Sequence, residues 1–374
     1  MTDFVAVNEP LLDGNEEKYL IECIRSGWIS SEGPFVTKFE SSFSEYVGRR
    51  HGVAVCNGSV ALDLAVAVLD IGPGDEVIMP AHTIISCPAA VVRAGATPVL
   101  VDCDPLTYNM RVDAIEGRIT AKTRAIMVVH IFGLPVDMDP LMTLAQKHGL
   151  KVIEDAAEMH GQTYRGRPCG SFGDVSTFSF YPNKHITTGE GGMVVVDDDR
   201  LAERLRAMRN LCFKPERRFV HDELGWNYRM TNLQAALGVA QLERLDEFVE
   251  RKRTIGRTYN ELLANTKGLQ LPVPANEHAE NIYWVYPLVL QDNVPFDASV
   301  MMAKMAERKI GTRPFFWSIA EQPVFQKAGL FADEVYPVAG HIARRGFYIP
   351  SGMALTRDQI EQVAEQVHLI MAAS

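Results

Sequence analysis

The sequence predicts an α/β protein with a mostly parallel central β-sheet that is covered by helices on both faces. Short apolar runs alternate with amphipathic helical segments along the first two thirds of the chain, as in Glu76–Pro80, Ser86–Ala94 and Pro98–Asp102. This alternation is typical of strand–helix–strand units, whose crossover helices bury both faces of a parallel sheet. Asp155 and other polar residues follow the apolar runs, and ligands bind at such strand ends in sheets of this kind.

The predicted elements follow one another in a regular order. Two helices, at Glu16–Arg25 and Pro34–Tyr46, precede the first strand at His51–Cys56. The elements expected between this strand and residue 248 are the strands Glu76–Pro80, Pro98–Asp102, Ala125–His130, Lys151–Asp155 and Gly192–Asp198, and the helices Val60–Asp70, Ser86–Ala94, Asp139–His148, Leu201–Leu211 and Leu233–Phe248.

Beyond about residue 250 the pattern changes to a mixture of helices and isolated strands. The expected elements are the helices Arg251–Leu263, Val300–Lys309 and Arg357–Met371, and the strands Asn281–Leu290 and Gly311–Phe316. A chain of 374 residues is long enough for two domains. We therefore expect a large α/β domain at 1–248 and a small C-terminal α+β domain at 249–374.

Composition excludes several classes of function. The 37 Lys and Arg against 47 Asp and Glu give a net charge of −10, which argues against nucleic acid as a partner because such binding needs a basic face. The six cysteines form no C-x-x-C pair, so neither a metal site nor a disulfide framework is predicted. The acidic N-terminus lacks a signal-peptide pattern, and no apolar run approaches the ~20 residues of a membrane span. A cytoplasmic protein without a membrane partner is expected.

Lys184 lies between an apolar strand-like run and the glycine-rich turn TTGEGG. A lysine is a poor nucleophile while protonated, with an ordinary pKa of about 10.4. Beside a desolvating wall it can lose that proton and attack a carbonyl carbon. The alternative is a solvated turn lysine, which is the commoner situation for a lysine taken alone.

Two further features make the first interpretation stronger. Asn57-Gly58-Ser59 joins a strand to a helix, and the free N–H groups and positive dipole end of such a helix favour a phosphate. Asp155 places a carboxylate at a strand end where water is scarce, and it would be costly there without a cation such as a protonated pyridine nitrogen. Each has a purely structural alternative, a plain strand-to-helix connection and a helix N-cap respectively.

Four motifs in this order carry a family resemblance. They are NGSVALDLA from Asn57, DAAE from Asp155, TTGEGG after Lys184, and GWNYRMTNLQAALGVAQLERLDEF from Gly225. With them the chain resembles the sugar aminotransferases of the DegT/DnrJ/EryC1/StrS group from about Pro10 to the C-terminal helix. The resemblance implies the aspartate-aminotransferase fold, also called fold type I, and a pyridoxal 5′-phosphate cofactor bound by the large domain.

The resemblance also implies roles for three residues at the cofactor ring. Lys184 matches the lysine that holds the cofactor as a Schiff base and later moves the proton between cofactor and substrate carbon. Asp155 matches the carboxylate that keeps the pyridine nitrogen protonated, which makes the ring an electron sink. Glu158 matches a Gln or Glu that lies near the ring hydroxyl.

The cofactor phosphate has its own set of matching positions. Gly58, Ser59 and Ser179 match phosphate-binding residues, and the first two agree with the anion site inferred from the strand-to-helix junction. Asn227 matches a residue that reaches the phosphate from the neighbouring subunit. An obligate homodimer is therefore implied.

The substrate side departs from the family pattern. Ile84 stands where many relatives have an aromatic residue on the cofactor ring, and the segment 313–318 differs from the pattern of GDP-perosamine synthases. The candidate substrate contacts are His185, Trp28, Arg229, Arg313 and Phe316.

The predicted reaction moves the amino group of L-glutamate to a keto or aldehyde carbon of a sugar used for cell-surface polysaccharide such as lipopolysaccharide, and releases 2-oxoglutarate. The sugar is either a GDP-4-keto-6-deoxymannose-type nucleotide sugar or an acidic sugar such as 8-oxo-3-deoxy-manno-octulosonate, giving 8-amino-3,8-dideoxy-manno-octulosonate.

Three other functions agree less well with the sequence. A dehydratase of the same fold would have histidine in place of Lys184, and a nicotinamide-dependent oxidoreductase would need a G-x-G-x-x-G that is absent after the first strand. A cofactor-binding regulator without catalysis is disfavoured because the resemblance to enzymes runs over the full length of the sequence and no added DNA-binding segment is expected.

Overall fold

The computed structural model describes residues 4–214 and 217–373. Its strands form a large sheet, a small sheet and a short hairpin. The strands are β1 His51–Val55, β2 Glu76–Pro80, β3 Thr97–Val101, β4 Thr123–Val129, β5 Lys151–Asp155, β6 Thr163–Tyr164, β7 Arg167–Pro168, β8 Val175–Ser179, β9 Gly192–Val196, β10 Leu269–Gln270, β11 Tyr286–Leu290, β12 Arg313–Pro314 and β13 Gly346–Ile349.

The helices cover the sheets and connect their strands. They are α1 Glu16–Ser26, α2 Pro34–Tyr46, α3 Gly58–Val68, α4 Ser86–Arg93, α5 Met138–His148, α6 Asp199–Arg209, α7 Asn232–Leu242, α8 Leu245–Leu263, α9 Ala298–Glu307, α10 Pro323–Lys327, α11 Pro337–Arg345 and α12 Arg357–Ala372. Most predicted elements are present within a few residues of their expected bounds. The short strands β6, β7, β10 and β13 and the helices α10 and α11 were not predicted.

The large sheet has the strand order β1-β9-β8-β5-β4-β2-β3. The pairs β2–β3, β2–β4, β4–β5 and β5–β8 are parallel, whereas β9 runs antiparallel to both β1 and β8. The prediction of a mostly parallel α/β sheet is confirmed. Because the parallel strands end at one edge, Asp155 at the end of β5 and Ser179 at the end of β8 lie at the same edge.

Both faces of the large sheet are buried, which explains its nearly continuous apolar strands. In β4, Ala125 and Met127 belong to the apolar cluster on the face covered by α3 and α4. Ile126 and Val128 belong to the cluster on the opposite face, with side chains of α2 and α5. A strand buried on two sides has no polar alternation, so its sequence reads as an apolar run.

The small sheet is antiparallel, with the order β10-β11-β13-β12. Its apolar side chains share a core with α8, α9 and α12. The predicted division between residues 248 and 249 falls inside α8, and it stays a prediction.

Two predicted elements differ in their bounds. The helix expected at Leu233–Phe248 ends at Leu242 and a second helix begins at Leu245, because Arg244 has a φ of −120° outside the helical region. The strand expected at Asn281–Leu290 begins only at Tyr286. Tyr283 has a φ of +47°, and this left-handed conformation breaks the alternation of an extended chain.

Lys252 of α8 is fully buried and joins this helix to two loops beside the small sheet. Its Nζ donates hydrogen bonds to the carbonyl oxygens of Trp284 at 2.8 Å and Ser351 at 2.5 Å. Burial lowers the pKa of the amine to about 7. The side chain therefore links α8 to these two loops through buried hydrogen bonds.

Replacing Lys252 by an apolar side chain of similar length is expected to destabilise the protein. Lys252→Met leaves two buried carbonyl groups unpaired, so the free energy of unfolding at pH 7 falls by about 2 kcal/mol. Since the folded pKa lies below the ordinary 10.5, the unfolded chain binds more protons between pH 7 and 10.5, and the wild type gains stability relative to the variant as pH rises through that range. Denaturant unfolding at pH 7 and pH 9 measures both effects. The exposed Lys267→Met is the control. Equal stability of the two variants would contradict the stabilising role of Lys252.

Candidate active site

A cavity of about 670 Å³ opens at the carboxyl ends of the parallel strands. Eight of the predicted site residues line it: Gly58, Ser59, Ile84, Asp155, Glu158, Ser179, Lys184 and Phe316. A larger cleft of about 850 Å³ elsewhere on the protein is lined by none of the predicted site residues. The smaller cavity is therefore the candidate active site.

Lys184 follows β8 and turns its side chain into this cavity, where only 10% of the side chain is exposed. Its Nζ lies 3.9 Å from the ring centroid of Trp284 and 4.0 Å from Glu158 Oε1. Burial lowers the pKa of the amine, and the nearby Glu158 and Asp155 oppose that shift. The amine therefore lies in a desolvated environment, and the Trp284 ring is one wall of it.

Asp155 ends β5 and is 3% exposed. Its Oδ1 accepts a hydrogen bond from the backbone N–H of Ala157 at 3.0 Å. Burial raises the pKa of the carboxyl group, while the Ala157 N–H and the charge of Lys184 act in the opposite direction. The contact with Ala157 satisfies one carboxyl oxygen, and Asp155 still lines the cavity, where a cationic group would stabilise its charge.

Glu158 is buried beside Lys184. Its Oε2 accepts a hydrogen bond from the backbone N–H of Phe132 at 2.7 Å. Burial raises the pKa of this carboxyl group to about 8, against the opposing influence of Lys184. Close to neutral pH, Glu158 can therefore hold or release a proton within reach of Lys184.

The pH dependence of the unfolding free energy of the cofactor-free protein is expected to reflect the raised pKa of Glu158. Because its folded pKa of about 8 lies above the ordinary 4.5, the folded state binds more protons between those values. The wild type should therefore lose stability relative to Glu158→Gln as pH rises from about 4.5 to about 8. Unfolding by denaturant at pH 5 and pH 8 gives the difference, and the exposed Glu307→Gln should behave as the wild type. A difference that does not change with pH would show that Glu158 ionises normally.

The N-terminus of α3 lies at the cavity, which Asn57, Gly58 and Ser59 line. Asn57 caps the helix, since its Oδ1 accepts from the backbone N–H of Val60 at 3.0 Å. A Cβ atom on Gly58 would lie 2.7 Å from the Cβ of Ser179, so only glycine allows this close approach. Ser59 Oγ lies 2.8 Å from Ser86 Oγ. Hydroxyl groups and free helical N–H groups at one place suit a phosphate.

Several cavity residues were missed by the sequence analysis. Trp284 was placed in a continuous strand, but the left-handed Tyr283 turns it toward the site, and its indole Nε1 donates to the carbonyl of Asn183 at 2.8 Å. Tyr348 of β13 and Thr83 also line the cavity. No local motif in the sequence marks these positions.

Other predicted contacts do not line this cavity in the single chain. His185 is buried, with its Nε2 3.2 Å from the carbonyl oxygen of Ile282. Trp28, Asn227 and Arg313 are exposed, and Arg229 is half-buried. The role of Asn227 requires a second subunit, and it stays a prediction, as do the substrate contacts proposed for the other four residues.

The described residues form neither a metal site nor a membrane-spanning helix. Within residues 4–214 and 217–373, no group of three or more His, Cys, Asp or Glu side chains has the geometry to hold a metal ion. In the same part of the chain, no helix has both the length and the apolar character needed to cross a membrane.

Comparison with known proteins decides the family. Residues 10–368 match the DegT/DnrJ/EryC1/StrS aminotransferase family. The chain belongs to this family. This chain is a pyridoxal phosphate-dependent sugar aminotransferase.

Individual relatives match over almost their whole length. The GDP-perosamine synthase of Caulobacter vibrioides is 41% identical over 96% of this chain and 96% of its own. A Bacillus subtilis protein named as a pyridoxal phosphate-dependent aminotransferase, EpsN, is 34% identical over 96% and 94%. The crystal structure of the aminotransferase TlmJ from Streptoalloteichus hindustanus has a TM-score of 0.92 and 30% identity, and covers 99% of both chains. The predicted fold type I architecture and cofactor are confirmed.

The site of this DegT/DnrJ/EryC1/StrS family member fits its cofactor. An amine, a buried carboxylate and a helix N-terminus face one cavity, as the carbonyl, ring nitrogen and phosphate of pyridoxal phosphate require. The close approach of Gly58 to Ser179 brings the Ser179 side chain against the N-terminus of α3. Thr177 adds a buried hydroxyl group at the cavity wall that has no partner among the described residues.

Proposed function

We propose that the enzyme transfers the amino group of L-glutamate to the keto carbon of a nucleotide-linked 4-keto-6-deoxyhexose of the GDP-4-keto-6-deoxymannose type. The observation that carries the chemistry is the meeting of Lys184, Asp155 and the α3 N-terminus in one cavity. The nucleotide sugar is supported by the name of the C. vibrioides relative, a GDP-perosamine synthase.

Lys184 is proposed to bind the cofactor through its Nζ and to move a proton once the substrate amine has displaced it. Bound pyridoxal phosphate supplies an electron sink in its pyridine ring. Burial lowers the pKa of the Lys184 amine, which favours the unprotonated form that a nucleophile and a general base both need. The Trp284 ring limits where the freed amine can go, since it covers Nζ at 3.9 Å.

The carboxyl groups of Asp155 and Glu158 are proposed to have different roles. Asp155 supplies a negative charge for the protonated ring nitrogen, and its burial strengthens that interaction. Glu158 lies 4.0 Å from Lys184 Nζ and supplies or receives a proton beside it. The same phosphate group that Ser59, Ser179 and Gly58 hold is proposed to be reached by Asn227 of a second copy in a homodimer.

The sugar is proposed to lie against an aromatic wall. Trp284, Phe316 and Tyr348 line the cavity from the side of the small sheet. Apolar ring faces suit a deoxyhexose, because its methyl group and C–H edges can pack on them. Ile84 is 40% exposed and lines the same cavity, where it adds an apolar contact.

The test is spectroscopic and separates donor from acceptor. The purified yellow enzyme is mixed with L-glutamate, and the loss of its cofactor absorbance is followed. Excess glutamate is removed, and GDP-4-keto-6-deoxymannose, the corresponding sugar without nucleotide, or 8-oxo-3-deoxy-manno-octulosonate is added to equal samples. Fast recovery with the nucleotide sugar alone supports the proposal. Recovery only with the octulosonate, or release of water from the sugar without amine transfer, would overturn it.

A further inference from the structure

Cys87 contacts the carboxylate that the proposed chemistry depends on. It lies on α4, is completely buried, and its Sγ is 3.3 Å from Asp155 Oδ2. The other oxygen, Oδ1, accepts from the Ala157 N–H at 3.0 Å. Each carboxyl oxygen of Asp155 thus has one protein partner, and the two partners come from different elements.

The direction of this hydrogen bond follows from the chemistry of its partners. An ionised carboxylate only accepts, so the thiol must be the donor. Burial and the charge of Asp155 raise the pKa of the Cys87 thiol well above its ordinary value, and the proton therefore stays on sulfur. Thr83 Oγ1 lies 3.5 Å from the same sulfur. With the thiol proton committed to Asp155, the Thr83 hydroxyl is the donor toward sulfur.

We propose that Cys87 is a positioning residue for the aminotransferase reaction: its thiol, oriented by Thr83, fixes the carboxylate of Asp155 in its ionised form and in the orientation it has in the cavity. The proposal rests on the proposed role of Asp155 toward the ring nitrogen. A carboxylate held at both oxygens cannot rotate away from the cavity, and its remaining lone pairs are left for a ligand.

Three single variants of the holoenzyme test this. Cys87→Ala removes the donor, Cys87→Ser replaces it by a hydroxyl donor, and Cys169→Ala removes a different buried sulfur that lies outside the cavity. The readouts are the dissociation constant of pyridoxal phosphate and the pH titration of the absorbance of the bound cofactor, both measured without glutamate or sugar.

The expected result is specific to the donor. Cys87→Ala weakens cofactor binding by about tenfold, the size expected for a hydrogen bond to a charged group. It also moves the pH midpoint of the cofactor absorbance by about one unit, because Asp155 protonates more easily and its charge beside the cofactor ring is lost. Cys87→Ser stays within about twofold of the wild type, since it still donates. Cys169→Ala behaves as the wild type in both measurements.

Two outcomes would overturn the proposal. One is a Cys87→Ala variant that matches Cys169→Ala, and the other is a Cys87→Ser variant as impaired as Cys87→Ala. Thermal unfolding of the cofactor-free variants separates a general loss of packing, which both alanine variants share, from the shift of the titration. A wild type that binds the cofactor but fails to react with glutamate would instead overturn the proposed function.

Discussion

Lys184→Ala is expected to abolish transamination, lowering kcat by on the order of 10⁴-fold, because the variant loses both its nucleophile and the base that moves the proton. The protein should still bind pyridoxal phosphate through Asp155 and the α3 N-terminus, since neither depends on the lysine. The measurement is the rate at which L-glutamate changes the cofactor absorbance, followed by mass analysis for 2-oxoglutarate.

A matched control is Lys151→Ala. This exposed lysine begins β5 and pairs with Asp174 at 2.8 Å, far from the proposed chemistry. It should retain wild-type kcat. Steady transamination by Lys184→Ala, with the fold intact, would remove Lys184 from its proposed role.

Asp155→Asn is expected to be nearly as damaging while changing the shape of the site very little. An amide keeps the size of the side chain and can still accept the Ala157 N–H, but it carries no charge for a protonated ring nitrogen. Removing one partner of a buried charge pair costs about 3–5 kcal/mol, which corresponds to about 10²- to 10⁴-fold in kcat.

Asp155→Glu and Asp174→Asn complete this experiment. Glutamate restores the charge but displaces it by one methylene, so partial activity is expected. Asp174 can still accept the N–H of Val152 as an amide, and its variant should be fully active. If Asp155→Asn kept the wild-type kcat and the wild-type absorbance of the bound cofactor, the carboxylate would have no role at the ring.

The sequence allowed a correct prediction of the main sheet because its strands are buried on both faces and their boundaries carry polar residues. It also predicted that Asp155 and the Gly58–Ser59 junction lie at one edge of the sheet, because the carboxyl ends of parallel strands meet at the same edge. The same reasoning could not distinguish the roles of neighbouring residues such as Glu154 and Asp155. Glu154, next to Asp155, points into the interior and accepts from the backbone N–H groups of Phe172 and Gly173.

The parts that the sequence did not predict depend on single backbone conformations and on distant contacts. His185 directly follows Lys184, yet it turns into the interior toward the carbonyl of Ile282. Trp284 reaches the site because Tyr283 adopts a left-handed conformation, which no local pattern required. Cys87 reaches Asp155 across 68 residues of sequence, and such pairs depend on how α4 packs on the sheet.

The position of Trp284 gives the enzyme an intrinsic optical probe. It is 3% exposed and lies against Lys184, whereas Trp28, Trp226 and Trp317 are 52%, 37% and 42% exposed. Its emission should therefore lie to the blue of the other three, and an external quencher such as iodide should reach it last. A bound cofactor whose absorption overlaps the emission of this indole should quench it selectively by energy transfer, so that the occupancy of the site can be followed without any label.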